Sequence, residues 1–116
     1  MPKSNKYWVV IPAAGIGRRM GSDIPKQYIS VHGKTVIEHT LDNFISRKEI
    51  ERICISISEF DSYWQTLPIS KNKKMITTTG GNERYESVYN GLCALQDKAN
   101  DDDWVLVHDA VRPCLK

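Results

Sequence analysis

Long apolar runs are missing from this 116-residue sequence. No stretch approaches the roughly 18–20 residues that a bilayer-spanning helix needs, which excludes a helical membrane bundle and predicts no membrane partner. Cysteine is scarce: Cys54, Cys93 and Cys114 form an odd, widely spaced set. A disulfide framework uses an even set, and a zinc site uses Cys or His a few residues apart, so the expectation is free thiols in a reducing cytoplasm. The histidines His32, His39 and His108 are equally scattered, with no i, i+4 pair; His32 and His39 read as surface residues. Excess charge is also missing, because 16 Lys+Arg against 14 Asp+Glu leave a net +2. That is too little to argue for nucleic acid. The polar segment Met1–Lys6 runs straight into a strand-like stretch and predicts no secretory signal. Repeats, low-complexity tracts and linkers are absent as well.

What is present fits one globular unit: 41% apolar and 26% charged residues, in a length typical of single domains. Tyr7–Pro12 is a continuous apolar run rich in Val and Ile, the pattern of a strand buried on both faces. Thr35–Arg47 places Val36, Ile37, Leu41, Phe44 and Ile45 on one helical face. Arg52–Ser58 reads as a second strand, Glu59–Leu67 as a short helix closed by Pro68, and Lys74–Thr79 as a third strand. Glu83–Gln96 predicts a helix with Asn82 as N-cap and Tyr85, Val88, Tyr89, Leu92 and Leu95 on its apolar face. Trp104–His108 is expected as a fourth buried strand. Strands alternating with helices predict a mostly parallel α/β sheet of about four strands with flanking helices. Such a sheet is thin and both its edges need cover, so the fold is expected to be minimal or truncated.

Parallel α/β sheets bind ligands beyond the carboxyl ends of their strands. Three features fall there. The loop Pro12-Ala13-Ala14-Gly15-Ile16-Gly17-Arg18-Arg19-Met20 follows the first strand; its glycines let backbone amides approach a phosphate, and its arginines match phosphate oxygens. Pro25-Lys26-Gln27-Tyr28 brings a further cation back towards that loop. Between Gly15 and Lys34 stand four cations and one anion, Asp23, so the near-neutral total hides a basic mouth. After the fourth strand comes Val107-His108-Asp109-Ala110-Val111-Arg112, where Asp109 could meet a ribose hydroxyl or a metal. Each feature has a plainer reading: a tight connection, a solvated basic face, an N-cap. Their occurrence together at successive strand ends favours phosphate binding. The dinucleotide fingerprint fails, because the loop reads Gly15-x-Gly17-x-x-x-Gly21 and leads to Pro25, not into a helix. The Gly-Lys-Ser/Thr P-loop pattern is absent too.

With Gly80-Gly-Asn-Glu-Arg-Tyr-Glu-Ser-Val88 between them, these motifs closely resemble the 2-C-methyl-D-erythritol 4-phosphate cytidylyltransferases of the non-mevalonate isoprenoid pathway. The resemblance runs from the first strand to the last residues. It implies a Rossmann-like nucleotidyltransferase fold, with residues 1–116 as the nucleotide-binding N-terminal portion of one cytidylyltransferase domain. It also implies the reaction: a sugar-alcohol phosphate attacks the α-phosphorus of CTP and pyrophosphate leaves, with Mg2+ as cofactor. The nucleophile is an oxygen already ionised at neutral pH, so no general base is needed; catalysis can come from positioning and cations. By resemblance Arg19 and Lys26 stabilise the transition state. Ala13, Ala14, Gly15 and Gly17 line the nucleotide, with Arg18 near the phosphates. Gly81, Asn82 and Ser87 form the cytosine-reading segment, which Arg84 buttresses. Asp109 and Ala110 stand near the ribose, Asp109 also near the metal. Asn82 occupies a position where some relatives carry an acid. Ribitol 5-phosphate is the alternative acceptor. Members of the family continue past the His-Asp-Ala motif into a dimerisation arm and acceptor-binding residues; the expectation is therefore a homodimeric, cytoplasmic full-length enzyme and a segment inactive by itself.

Overall fold

The structure, a computed structural model, describes residues 6–14, 25–100 and 102–110. Four strands, β1 (Tyr7–Ala13), β4 (Ile50–Ile57), β5 (Met75–Thr79) and β6 (Trp104–Val107), form one sheet in the order β5-β4-β1-β6. Every neighbouring pair in it is parallel. Two short strands, β2 (Ser30–Val31) and β3 (Lys34–Thr35), make a separate antiparallel hairpin. Its two-residue turn puts His32 at φ 52° and Gly33 at φ 87°, the left-handed backbone that tight hairpins require. Helices α1 (Val36–Ile45) and α2 (Arg84–Gln96) are the α-helices among the described residues.

The sheet is apolar on both faces, as the unbroken run in β1 predicts. Val9, Ile11 and Ala13 join Ile53 and Ile55 in one cluster with Ile37 and Leu41 of α1. Trp8 and Val10 join Cys54 and Leu95 in the other, beneath α2. α1 begins with a reciprocal cap: Glu38 N–H donates to Thr35 Oγ1 (3.3 Å), and Thr35 N–H to Glu38 Oε1 (2.8 Å). At the opposite end of the sheet from the strand carboxyl termini, Asp103 accepts from Trp8 Nε1 (2.8 Å) and Lys6 N–H (3.2 Å), tying the starts of β1 and β6 together.

Four expectations change. Segment 59–67 is not an α-helix; it is a loop leading into 3-10 turns at Trp64–Thr66 and Pro68–Lys71. Asp61 Oδ1 takes the N–H groups of Tyr63 (2.8 Å) and Trp64 (2.9 Å). Leu67, which precedes Pro68, is extended at ψ 135° and stops any helix there. The N-cap of α2 is Glu83, whose N–H donates to Glu86 Oε1 (3.0 Å), and not Asn82. α2 seats on only part of its expected apolar face: Leu95 is buried as expected, Ser87 and Gly91 face the sheet beside it, and Tyr85, Tyr89 and Leu92 are exposed. Small residues win because they let the helix approach closely; a Cβ on Gly91 would stand 2.6 Å from Val10 Cγ1. Finally, β6 is exposed along its whole length, since β1 is its one neighbour among the described strands.

Candidate functional site

The carboxyl ends of β1, β4 and β5 open onto a cleft of ≈ 1050 Å³ beside the first turns of α2. Its floor is made from residues with little or no side chain. Gly80 N–H donates to Ile57 O (2.7 Å), which holds the chain leaving β5 against β4. A Cβ on Gly80 would lie 2.5 Å from both Ala14 Cβ and Ser87 Oγ, so Ala14, Gly80 and Ser87 meet with no space for a further atom. A Cβ on Gly81 would strike Glu86 at 2.5 Å. Ser87 is buried; its hydroxyl accepts the Gly81 N–H (3.1 Å) and its carbonyl accepts from Ser56 Oγ (2.8 Å). In this arrangement Ser87 shapes the glycine turn. The charged residues lining the cleft, among those described, are Glu59 and Glu86, both acidic.

A second cavity of ≈ 280 Å³ shares Ala14, Ser58 and Phe60 with the cleft and reaches Pro25 and Gln27. Here the Pro25–Tyr28 segment carries Lys26, exposed, on a 3-10 turn. Two buried neighbours fix that turn. Gln27 Nε2 donates to Ala13 O (2.8 Å), fastening it to the end of β1. Tyr28 donates its hydroxyl to Asp61 Oδ2 (2.6 Å) and stacks on Tyr63 with ring centroids 5.1 Å apart. Burial, with the adjacent Asp61 carboxylate, pushes the Tyr28 phenol far above its ordinary value, so it remains a proton donor. Gln27 and Asp61 carry this geometry. Gln27 stands inside the quoted motif without a role of its own, and nothing in the sequence near Asp61 marks it.

Of the other expected site residues, Ala13, Ala14, Gly81 and Asn82 come together around the cleft and its neighbour, together with Ser87 behind them. Gly15, Gly17, Arg18 and Arg19 lie outside the described residues. Arg84 does not brace the glycine turn: its Nη2 and Nε donate to Asp109 Oδ1 at 3.0 and 3.3 Å, bridging the start of α2 to the segment after β6. Ala110 is fully buried and its carbonyl accepts from Thr40 Oγ1 of α1 (2.9 Å), which sets it among the α1-side core and away from the cleft lining. No group of three or more His, Cys, Asp or Glu that could hold a metal ion is found among the described residues. A single carboxylate such as Asp109 suits Mg2+ in the mode where nucleotide phosphates and waters supply most ligands.

Sequence and structure comparisons identify related proteins. The family model described as 2-C-methyl-D-erythritol 4-phosphate cytidylyltransferase matches residues 7–116. A protein of that name from Pseudoalteromonas atlantica is 50% identical over 109 residues, which is 94% of this chain and 46% of that one. Another from Vibrio vulnificus is 46% identical over 106 residues, 91% of this chain and 45% of its own length. The crystal structure of the Francisella tularensis 2-C-methyl-D-erythritol 4-phosphate cytidylyltransferase superposes with a TM-score of 0.78 at 40% identity, covering 97% of this chain and 47% of that one. A solved 4-diphosphocytidyl-2C-methyl-D-erythritol synthase gives a TM-score of 0.82 at 31% identity, covering 99% and 51%. The chain thus spans about half the length of the relatives it matches.

Proposed function

The chain belongs to the 2-C-methyl-D-erythritol 4-phosphate cytidylyltransferase family, and from that premise we propose that it forms the nucleotide-binding part of an enzyme that transfers CMP from CTP to 2-C-methyl-D-erythritol 4-phosphate, releasing pyrophosphate, in isoprenoid synthesis. The observation that carries this reading is the small-residue lining of Ala14, Gly80 and Gly81 at the strand ends, with Lys26 fastened to the same end of β1 by Gln27. Small residues let a planar base approach the backbone, and a cation held beyond them suits the triphosphate.

On this reading the base enters the cleft and the phosphates extend towards Lys26. Lys26 and Arg19 neutralise charge that builds on the α-phosphate and the departing pyrophosphate; Arg18 and the amides of Gly15 and Gly17 hold the remaining oxygens. Asp109 is the carboxylate that would help hold Mg2+, which supplies further charge neutralisation when bound. Arg84 holds that carboxylate in place through its hydrogen bonds. The acceptor phosphate arrives ionised, so no residue need remove a proton from it.

The test begins with calorimetry of the 116-residue chain against CTP and Mg2+, followed by pyrophosphate release with 2-C-methyl-D-erythritol 4-phosphate and with ribitol 5-phosphate as acceptors. CTP binding is expected, with the erythritol phosphate preferred wherever turnover is seen. In the complete enzyme, Lys26→Ala should lower turnover by about a hundredfold or more while changing CTP affinity only several-fold, since the lysine acts mainly as charge develops. Failure to bind CTP would sink the proposal.

A further inference from the structure

We propose that Phe60, Tyr85 and Tyr89 form an aromatic rim that stacks on the base of the bound nucleotide; this rests on the reading of the cleft as the base end of a nucleotide site. The three rings line that one cleft although they come from different elements, Phe60 from the loop after β4 and the tyrosines one turn apart on α2. They are 80%, 71% and 65% exposed, respectively. The core makes no use of them, because α2 seats on the sheet through Ser87, Gly91 and Leu95. Large aromatic side chains clustered around a concavity, and left in water, are a feature of ligand sites.

Two further observations say what the rim would hold. The cleft is also lined by Ala14, Gly80 and Gly81, small residues that let a planar ring come close to the backbone. The charged lining consists of Glu59 and Glu86, with no lysine or arginine among the described lining residues. Such a lining repels phosphates and favours a ring bearing an exocyclic amine as hydrogen-bond donor. Phe60 also lines the smaller cavity that leads to Pro25 and Gln27, so it stands between the cleft and the Lys26 turn. Stacking from the rim would therefore act on the base alone, and the phosphates would lie beyond Phe60. Aromatic stacking on one base is worth about 1–3 kcal/mol by alanine substitution, and a tenfold change corresponds to about 1.4 kcal/mol.

The experiment is calorimetric titration of the 116-residue chain and of Phe60→Ala, Tyr85→Ala and Tyr85→Phe with CTP, and with inorganic tripolyphosphate as a base-free probe. Each alanine variant should weaken CTP binding by about tenfold, leave tripolyphosphate binding unchanged, and keep the parent's unfolding midpoint because the rings are exposed. Tyr85→Phe should bind CTP like the parent, since the ring is retained. CTP binding by the parent that is indifferent to both alanine substitutions would overturn the rim while leaving the proposed function standing. Equal losses for CTP and tripolyphosphate would also overturn it, by showing a general disturbance of the site. A parent chain that binds tripolyphosphate but not CTP would overturn the base site and the rim together.

Discussion

At Gln27 a fully buried amide holds the carbonyl that ends β1, while its own Oε1 is a buried acceptor without a hydrogen bond among the described residues. Gln27→Ala would leave the Ala13 carbonyl unpaired, a loss of about 1–3 kcal/mol, but it would also remove the unpaired Oε1. The net effect expected in urea unfolding is therefore in the lower half of that range, about 1–2 kcal/mol. Gln27→Glu should be worse near neutral pH, because an ionised carboxylate would face a carbonyl oxygen in a buried position. Burial raises a carboxyl's folded pKa, so stability falls as pH rises through it, and the deficit should shrink on acidification as the protonated acid becomes a donor. A Gln27→Glu deficit that is the same at every pH would contradict this account. The cysteines provide a second contrast. Burial pushes the Cys54 thiol up to about 11, whereas Cys93 is exposed on α2. Below that value Cys54 stays a protonated thiol, so alkylation followed by peptide mapping at pH 8 should label Cys93 and spare Cys54 until the chain is unfolded.

The elements were legible from the sequence where one pattern had no rival. β1 and β4 show as β-branched runs bounded by turn residues, and α1 shows as an apolar stripe over Val36–Ile45. α2 carries two competing stripes, an aromatic one at Tyr85, Tyr89 and Leu92 and a small-residue one at Ser87 and Gly91. Hydrophobicity selects the first, but the sheet selects the second, because close approach over Val10 and Ser56 leaves space only for Gly91. That misassignment hid the aromatic side of the cleft. Segment 59–67 differs for another reason: Asp61 captures two N–H groups locally and Pro68 fixes the exit, so the expected short helix does not form. Gly91→Ala tests the close approach directly. Overpacking against Val10 costs about 1–3 kcal/mol. The helix propensity of alanine returns about 1 kcal/mol at most. Destabilisation is expected, read as a lower thermal midpoint with α-helical circular dichroism retained; a more stable variant would mean that α2 sits farther from the sheet.

Across the whole molecule the order β5-β4-β1-β6 brings residues 13–14, 80–82 and the Lys26 turn to one end of the sheet, the end at which the motifs stand. Sequence order could not show which strands would lie at the edges. They are β5 and β6 among the described strands, and the composition of β6 is that of an interior one: Trp104, Val105, Leu106 and Val107 are apolar towards both faces and 56%, 37%, 41% and 42% exposed, respectively. Edge strands normally discourage pairing with a charge, a proline or a bulge. β6 has none of these; its pairing with β1 is regular from Tyr7↔Trp104 to Val10↔Val107. Its outer N–H and C=O groups have no strand to pair with among the described ones, so a second copy of the 116-residue chain offers a matching edge. Concentration-dependent self-association is therefore expected in analytical ultracentrifugation, in a low-salt buffer without nucleotide. Val105→Lys should suppress it, because pairing would bury or crowd the new charge, while an exposed position costs the monomer little. The cleft lies at the carboxyl ends of β1, β4 and β5, away from the outer edge of β6, so CTP affinity should be the same in parent and variant. Association that persists unchanged in Val105→Lys would place the contact on another surface.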